Sequence, residues 1–256
     1  MTEKQQQKTQ LGILVFHGFT ATTDSVSLLV DALHRTGVLV RAPLLAGHGA
    51  SSPEALRGIT CTDWLTDAEK AFSQLSASCE KIILVGHSMG ALLALNLAVR
   101  HESRVDSLVL AAPAIKLYSI FSPGRPLYRF APLLARVKKK WEMKTAIADR
   151  RYALGTGRYA WVPTDTILSF FLLIEKTISE LGSVTVPLFI LHNRRETTVM
   201  PESATILCNA IATGVSNKSI VWLEHSEHQM FCDSERELAV RAIVDFVDRR
   251  VHHNRS

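Results

Sequence analysis

The chain has 256 residues, 47% of them apolar and 21% charged, enough for one large hydrophobic core. It contains no apolar uncharged run of the length a membrane-spanning helix needs, and its polar start, MTEKQQQKTQ, lacks the apolar stretch of a secretory leader, so a cytoplasmic location is expected. The net charge of +5 is unevenly placed: residues 116–158 hold eleven Lys and Arg against two acids, so that stretch carries +9 and the remainder of the chain −4.

Strand and helix signals alternate. Residues 12–18, GILVFHG, form a short apolar run ending in glycine and read as a buried strand. Asp24 caps a periodic segment, 24–36, with Val26, Leu29, Val30 and Leu33 on one face, and Gly37 stops it. Further strands are expected at 38–43, 81–85, 105–111, 186–192 and 219–223, with helices at 63–76, 89–101, 200–212 and 234–251. Six strands alternating with helices of this length predict an α/β fold, a mostly parallel sheet covered on both faces. In such sheets ligands gather at the carboxyl ends of the strands.

Residues 114–183 break the alternation. The stretch is helical in propensity but interrupted by Pro123, Pro126, Pro132, Gly155, Gly157 and Pro163. It enters after the fourth strand and leaves before the fifth. An insertion there is expected to cover the sheet edge as a helical cap, leaving residues 1–113 and 184–256 as the core.

The chemistry-bearing residues fall at strand ends. Gly86-His87-Ser88-Met89-Gly90 matches G-x-S-x-G between a strand and a helix, the setting in which that motif exposes a nucleophilic serine. A serine needs a base to take its proton, and the loop after the last strand offers two histidines, His225 and His228. The imidazole needs a carboxylate to fix its tautomer; Glu196 is the only acid in the loop between His192 and Pro201. An oxyanion hole needs two backbone donors. Met89 N–H, just after the serine, is one candidate, and Phe19 N–H, in the loop His17-Gly18-Phe19-Thr20, is the other. His17 is expected to be structural. The four cysteines are scattered without a CxxC pair, and the ten histidines show no metal-ligand spacing, so no disulfide frame, metal or cofactor is expected.

Taken together, LVFHGFTATTDS (residues 14–25), APLLAGHGASSPEAL (42–56), DW (63–64), LVGHSMGALLAL (84–95), VPLFILHNRRETTVMPESA (186–204) and EHSEHQMFCDSE (224–235) resemble the α/β-hydrolase superfamily, and within it the small bacterial carboxylesterases and monoacylglycerol lipases. The resemblance implies Ser88 as nucleophile, His228 as base, Phe19 and Met89 as oxyanion donors, and a cap that shapes an acyl pocket. The chain departs from the family where Glu196 stands in place of the usual aspartate.

The expected activity is therefore hydrolysis of carboxylic esters, short- to medium-chain acyl esters or monoacylglycerols, through an acyl-enzyme. Phe19, Phe121, Trp161 and Phe170 are the candidate substrate-binding residues. The same apparatus would serve a thioesterase or acyltransferase, and a ligand-binding protein that has lost activity is the alternative of another class. Epoxide and haloalkane hydrolysis would need a carboxylate at Ser88. The basic cap is a candidate for contact with an anionic lipid surface; nucleic acid is disfavoured, because no binding motif accompanies the charges.

Overall fold

The computed structural model describes residues 9–143, 147–148 and 158–255. Gly155 and Gly157, and four charges of the basic stretch, Lys144, Asp149, Arg150 and Arg151, lie outside the described residues, as does most of the polar N-terminus.

The strands β1 (Thr9–Phe16), β2 (Leu39–Arg41), β3 (Cys79–His87) and β4 (Val105–Ala111) are followed by a small antiparallel ladder of β5 (Lys140–Glu142) with β6 (Trp161–Pro163), then by β7 (Leu188–Asn193) and β8 (Lys218–Leu223). Apart from β5 and β6 they form one six-stranded sheet in the order β2-β1-β3-β4-β7-β8, with every adjacent pair parallel. The helices are α1 (Ser27–His34), α2 (Cys61–Ser76), α3 (Met89–Arg100), α4 (Ala131–Val137), α5 (Thr164–Glu180), α6 (Glu202–Ala210) and α7 (Arg236–Arg255).

Alternation along each strand divides the core in two. Leu14, Leu84, Leu108 and Ile190 face a cluster built with Trp64 and Phe72 of α2, Leu92 of α3, Ile174 of α5 and Leu207 of α6. Ile13, Ile83, Val85 and Val109 face the other side, against Leu29 and Leu33 of α1 and Ile243 and Val247 of α7. With both faces covered, β3 is buried without interruption from Ile82 to His87, which is why the central strands read as continuous apolar runs.

The chain leaves β1 for β2 on one side and reaches β3 on the other. A crevice therefore opens beyond the carboxyl ends of β1 and β3, where ligands collect in sheets of this kind. Phe19 follows β1 and Ser88 follows β3, so both candidates stand at that crevice.

Element ends differ from the sequence expectation where local caps decide them. α2 begins at Cys61, not Asp63, because the Asp63 carboxylate accepts from Thr60 N–H at 2.8 Å and from the Thr60 hydroxyl at 2.7 Å. Between β4 and β7 the structure is less helical than propensity suggested: α4 has 7 residues, and the ladder of β5 with β6 was not expected. α5 is tied to the core by polar bonds as well as by packing. Asn96 Nδ2 donates to Thr177 Oγ1 at 2.8 Å, Thr166 Oγ1 to the Leu56 carbonyl at 2.7 Å, and Cys61 N–H to Ser169 Oγ at 2.6 Å. Among the described residues no helix is long and apolar enough to cross a membrane.

Candidate active site

Ser88 stands between β3 and α3 with φ +55° and ψ −113°, a conformation L-residues avoid. Such strain costs on the order of 1–3 kcal/mol and persists only where surroundings impose it. Ser88 N–H donates to the Ala111 carbonyl at 2.9 Å, pinning the turn to the end of β4. The flanking glycines make the room. A Cβ on Gly86 would lie 2.3 Å from the Gly90 carbonyl oxygen, and one on Gly90 would lie 2.4 Å from that of Phe16. The motif's glycines are thus demanded by close backbone approach.

The structure brings Ser88, His228 and Glu196 together. His228 Nε2 lies 2.9 Å from Ser88 Oγ, and His228 Nδ1 lies 3.0 Å from Glu196 Oε2. An ionised carboxylate only accepts, so Nδ1 carries the proton and Nε2 is free to accept from the serine hydroxyl. His225 is elsewhere: it is exposed, and its N–H is held by the Glu235 carboxylate.

Glu196 is buried, at 3% exposure, although it lies in an arginine-rich loop. Arg194 turns outward instead, pairing with Glu224 and lying over Trp222. The extra methylene of glutamate lets the side chain fold back on its own loop. Oε1 accepts from the N–H groups of Thr197, Thr198 and Val199 at 3.1, 2.8 and 3.2 Å, while Oε2 faces His228. Burial alone would raise its pKa. The His228 charge, the hydrogen bond to it and the Thr198 N–H outweigh burial and hold Glu196 at about 2. Asn193 Nδ2 donates to the Glu227 carbonyl at 2.9 Å and approaches Glu196 Oε2 at 3.4 Å, linking the acid loop to the histidine loop.

Three further histidines brace the site in neutral form. His17 Nε2 accepts from Leu45 N–H at 3.1 Å, so its Nδ1–H donates to the Gly18 carbonyl at 2.9 Å. His48 Nε2 accepts from Thr20 N–H at 3.1 Å, and its Nδ1–H donates to the Ala46 carbonyl at 3.0 Å. These bonds clamp the Phe19 loop to the 45–48 loop. His87 Nε2 donates to the His228 carbonyl at 2.8 Å. Burial lowers the pKa of His17 to about 4 and those of His48 and His87 to about 3.

Ser88 and His228 open onto a cavity of about 370 Å³. Phe19 and Phe170 line it and stack on each other with ring centroids 4.9 Å apart. Phe121 and Trp161 do not line it, which corrects the sequence expectation for those two. Phe121 packs edge-on against Trp141, which takes the place at the wall, and Trp161 lies under the Lys140 ammonium. Leu117 and Phe171, apolar candidates of the 114–183 insertion, line the wall as well, and so does Ile167, which the sequence did not mark. So does Arg158, which the sequence showed only as one charge among eleven. His87 occupies a variable place in the serine motif, and nothing in the sequence marked it.

The parallel sheet, the serine turn after β3 and the facing histidine and carboxylate define the α/β-hydrolase fold with a serine-hydrolase type of site. Residues 7–235 match the serine aminopeptidase S33 family, and the chain belongs to that family. It is 27% identical over 239 residues to a thermostable monoacylglycerol lipase of Bacillus sp. (strain H-257), spanning 92% of this chain and 90% of that one. It is 26% identical over 238 residues to a carboxylesterase of Bacillus subtilis (strain 168), spanning 93% and 92%. Among solved structures, one of the metagenome-derived lipolytic enzymes LipS and LipT superposes with a TM-score of 0.81 at 24% identity, over 94% of this chain and 95% of that one. The monoacylglycerol lipase of Paleococcus ferrophilus gives 0.75 at 20% identity, over 95% and 96%.

Proposed function

We propose that the protein hydrolyses carboxylic esters, short- to medium-chain acyl esters or monoacylglycerols, through an acyl-enzyme on Ser88. The observation that carries this reading is the relay Ser88–His228–Glu196, at 2.9 and 3.0 Å, opening onto an aromatic-walled cavity. His228 accepts the Ser88 proton as Oγ attacks the ester carbonyl. Glu196 keeps the imidazole in the required tautomer and stabilises the imidazolium. Met89 N–H opens α3 and so has no partner within the helix; with Phe19 N–H it serves the oxyanion, aided by the helix dipole. His228 then returns the proton to the leaving alkoxide. In the second step it takes a proton from water, the hydroxide adds to the acyl carbon, and the acid leaves as Ser88 regains its proton. Fluorophosphonate labelling of Ser88, with turnover of p-nitrophenyl esters beside acyl-thioesters, tests the reading; an unlabelled Ser88 or a thioester preference contradicts it.

The family name raises peptide hydrolysis. An aminopeptidase must receive a substrate ammonium, whereas the charge set deep in this cavity is the guanidinium of Arg158. The wall's carboxylate, Glu142, is exposed. That favours esters, in agreement with the activities named for the two Bacillus relatives.

Residues 114–183 act in this reading as the cap. Its surface carries exposed Phe130, Leu133 and Val137 beside Arg129, Arg136 and Lys138 on and around α4, a combination suited to an anionic lipid surface. The free state of all four cysteines fits a cytoplasmic setting.

A further inference from the structure

Arg158 is the part of the cavity that ester hydrolysis alone leaves unexplained. Its side chain reaches the wall shared with Ser88 and His228. Among the described residues Nη2 meets only Thr20 Oγ1, at a long 3.4 Å, and Nε and Nη1 are buried without a hydrogen-bond partner. Among the described residues no carboxylate forms an ion pair with it. Glu196, a buried acid whose charge acts on it, is committed to His228 and three backbone N–H groups.

A guanidinium is a planar fork of donors that stays charged. Leaving it buried and unpaired is costly, because neither water nor a counter-charge replaces its hydration. Burial accordingly disfavours its charged form, with Cys232 and Glu196 acting the other way. The position is also built. The neighbouring Tyr159 donates from its N–H to the Thr20 carbonyl at 3.2 Å. Its hydroxyl donates to the Gly47 carbonyl and accepts from Ala50 N–H, each at 3.0 Å. Arg158 is thereby anchored to the loop that presents Phe19.

The cavity has two characters. Phe19, Ile167, Phe170 and Phe171 make an apolar wall, largely from α5. Arg158 stands off α5, its Nη2 beside Thr20 Oγ1, and shares the cavity wall with Ser88 and His228; the influence of Glu196 and Cys232 on it agrees with a place on the histidine side. The leaving alkoxide must be on the His228 side to be protonated, which leaves the apolar wall for the acyl chain.

We propose that Arg158 recognises an anionic group, a phosphate or a carboxylate, carried on the alcohol half of the ester. The inference rests on the ester-hydrolase reading and narrows its substrate class. An oxyanion in the cavity would supply the counter-charge that the described residues do not give this guanidinium.

The test compares kcat/KM for octanoyl esters of glycerol, glycerol 3-phosphate and glycolate, with the glycerol monoester of octanedioic acid placing the carboxylate on the acyl side. Wild type should favour at least one of the two anionic-alcohol esters over octanoylglycerol by roughly tenfold or more, the size expected for a charge-assisted contact. The better of the two distinguishes phosphate from carboxylate. Arg158→Gln should abolish that preference mainly through KM, and Arg158→Lys should keep part of it. A wild-type preference for the neutral ester or for the acyl-side carboxylate overturns the proposal, as does a preference unchanged in Arg158→Gln. If wild type hydrolyses none of the four, the ester reading fails by itself. Binding of octanoyl glycolate to Ser88→Ala, with and without Arg158→Gln, then decides: tenfold weaker binding without the arginine supports the anion site, and equal binding overturns it.

Discussion

The strand ends and the segment between β4 and β7 are built on opposite terms. At the strand ends the charged and bridging groups are paired: Glu196 Oε1 takes three N–H groups, His17 and His48 each join two loops, and His228 spans acid and serine, although His87 Nδ1, His192 Nε2, Asn193 Oδ1 and Gln229 Oε1 are buried without a partner. In the other segment Arg158 keeps two buried nitrogens unpaired, and α4 leaves Leu133 and Val137 at 59% and 82% exposure. The contrast separates two tasks. A reacting constellation must be fixed before substrate arrives, because reorganisation during reaction raises the barrier. Recognition needs unspent capacity, and Arg158 is a buried cation that holds it.

The largest effects should come from the fixed side. Ser88→Ala should lower kcat on a p-nitrophenyl ester by about 10⁴-fold or more, with the folded state intact by circular dichroism. Glu196→Ala should cost about 10³- to 10⁴-fold. Glu196→Asp is the sharper variant. One methylene shorter, it cannot both cap its own loop and reach Nδ1, so a roughly tenfold loss is expected; aspartate matching wild type would show that the folded-back geometry is unnecessary. A Glu196→Ala enzyme with most of its activity would move the acid role to another residue.

The braced histidines give the fixed region a pH signature. His17, His48 and His87 have pKa values lowered from 6.5 to about 4, 3 and 3 by burial. Between those values and pH 6.5 the unfolded chain binds protons that the folded chain refuses, so stability falls as pH drops below about 6.5. Each histidine contributes a slope of about 1.4 kcal/mol per pH unit. Glu196 acts in a lower window, its contribution present above 4.5 and lost as pH falls towards about 2. Urea midpoints measured from pH 7 to 5 should therefore fall steeply, and His87→Gln should remove roughly a third of the slope that these three histidines supply. An unchanged slope in that variant would mean His87 is not held neutral by its setting.

The same contrast decides what was legible in the sequence. The sheet, the serine turn and the acid and histidine loops were readable because each answers to a local rule: buried strands need apolar runs, the serine turn needs glycines that allow backbone contact, and the side chains of the proposed relay sit where strands end. Glu196 was readable as an acid in the right loop, but not as a side chain folded onto three backbone N–H groups. That depends on how the 196–199 turn closes. Between β4 and β7 no period constrains the reading, so residue type stood in for position. Phe121 and Trp161 were chosen as aromatics, yet tertiary packing sets Trp141 at the wall instead. Arg158 illustrates the limit. A charge counts alike in the sequence whether solvated or buried, and only the fold distinguishes it from Lys138 or Lys140.

The smallest expected effect lies on the outer face of that segment. Leu133 and Val137 are too exposed to add much to folding, so replacing both with serine should change the unfolding free energy by no more than about 0.5 kcal/mol. If they dip into a lipid surface, the same change should weaken sedimentation with anionic vesicles several-fold, each buried apolar side chain contributing about 1.5–3 kcal/mol at most. Charge reversal at Arg136 and Lys138 should weaken it in a salt-dependent way, since pairing with a charged surface is screened beyond about 10 Å at 0.1 M salt. Wild-type protein that fails to sediment with anionic vesicles at low salt would remove the lipid role from this face. Its exposed side chains would then be an ordinary protein surface, and the recognition role of the segment would rest on Arg158, on the cavity side.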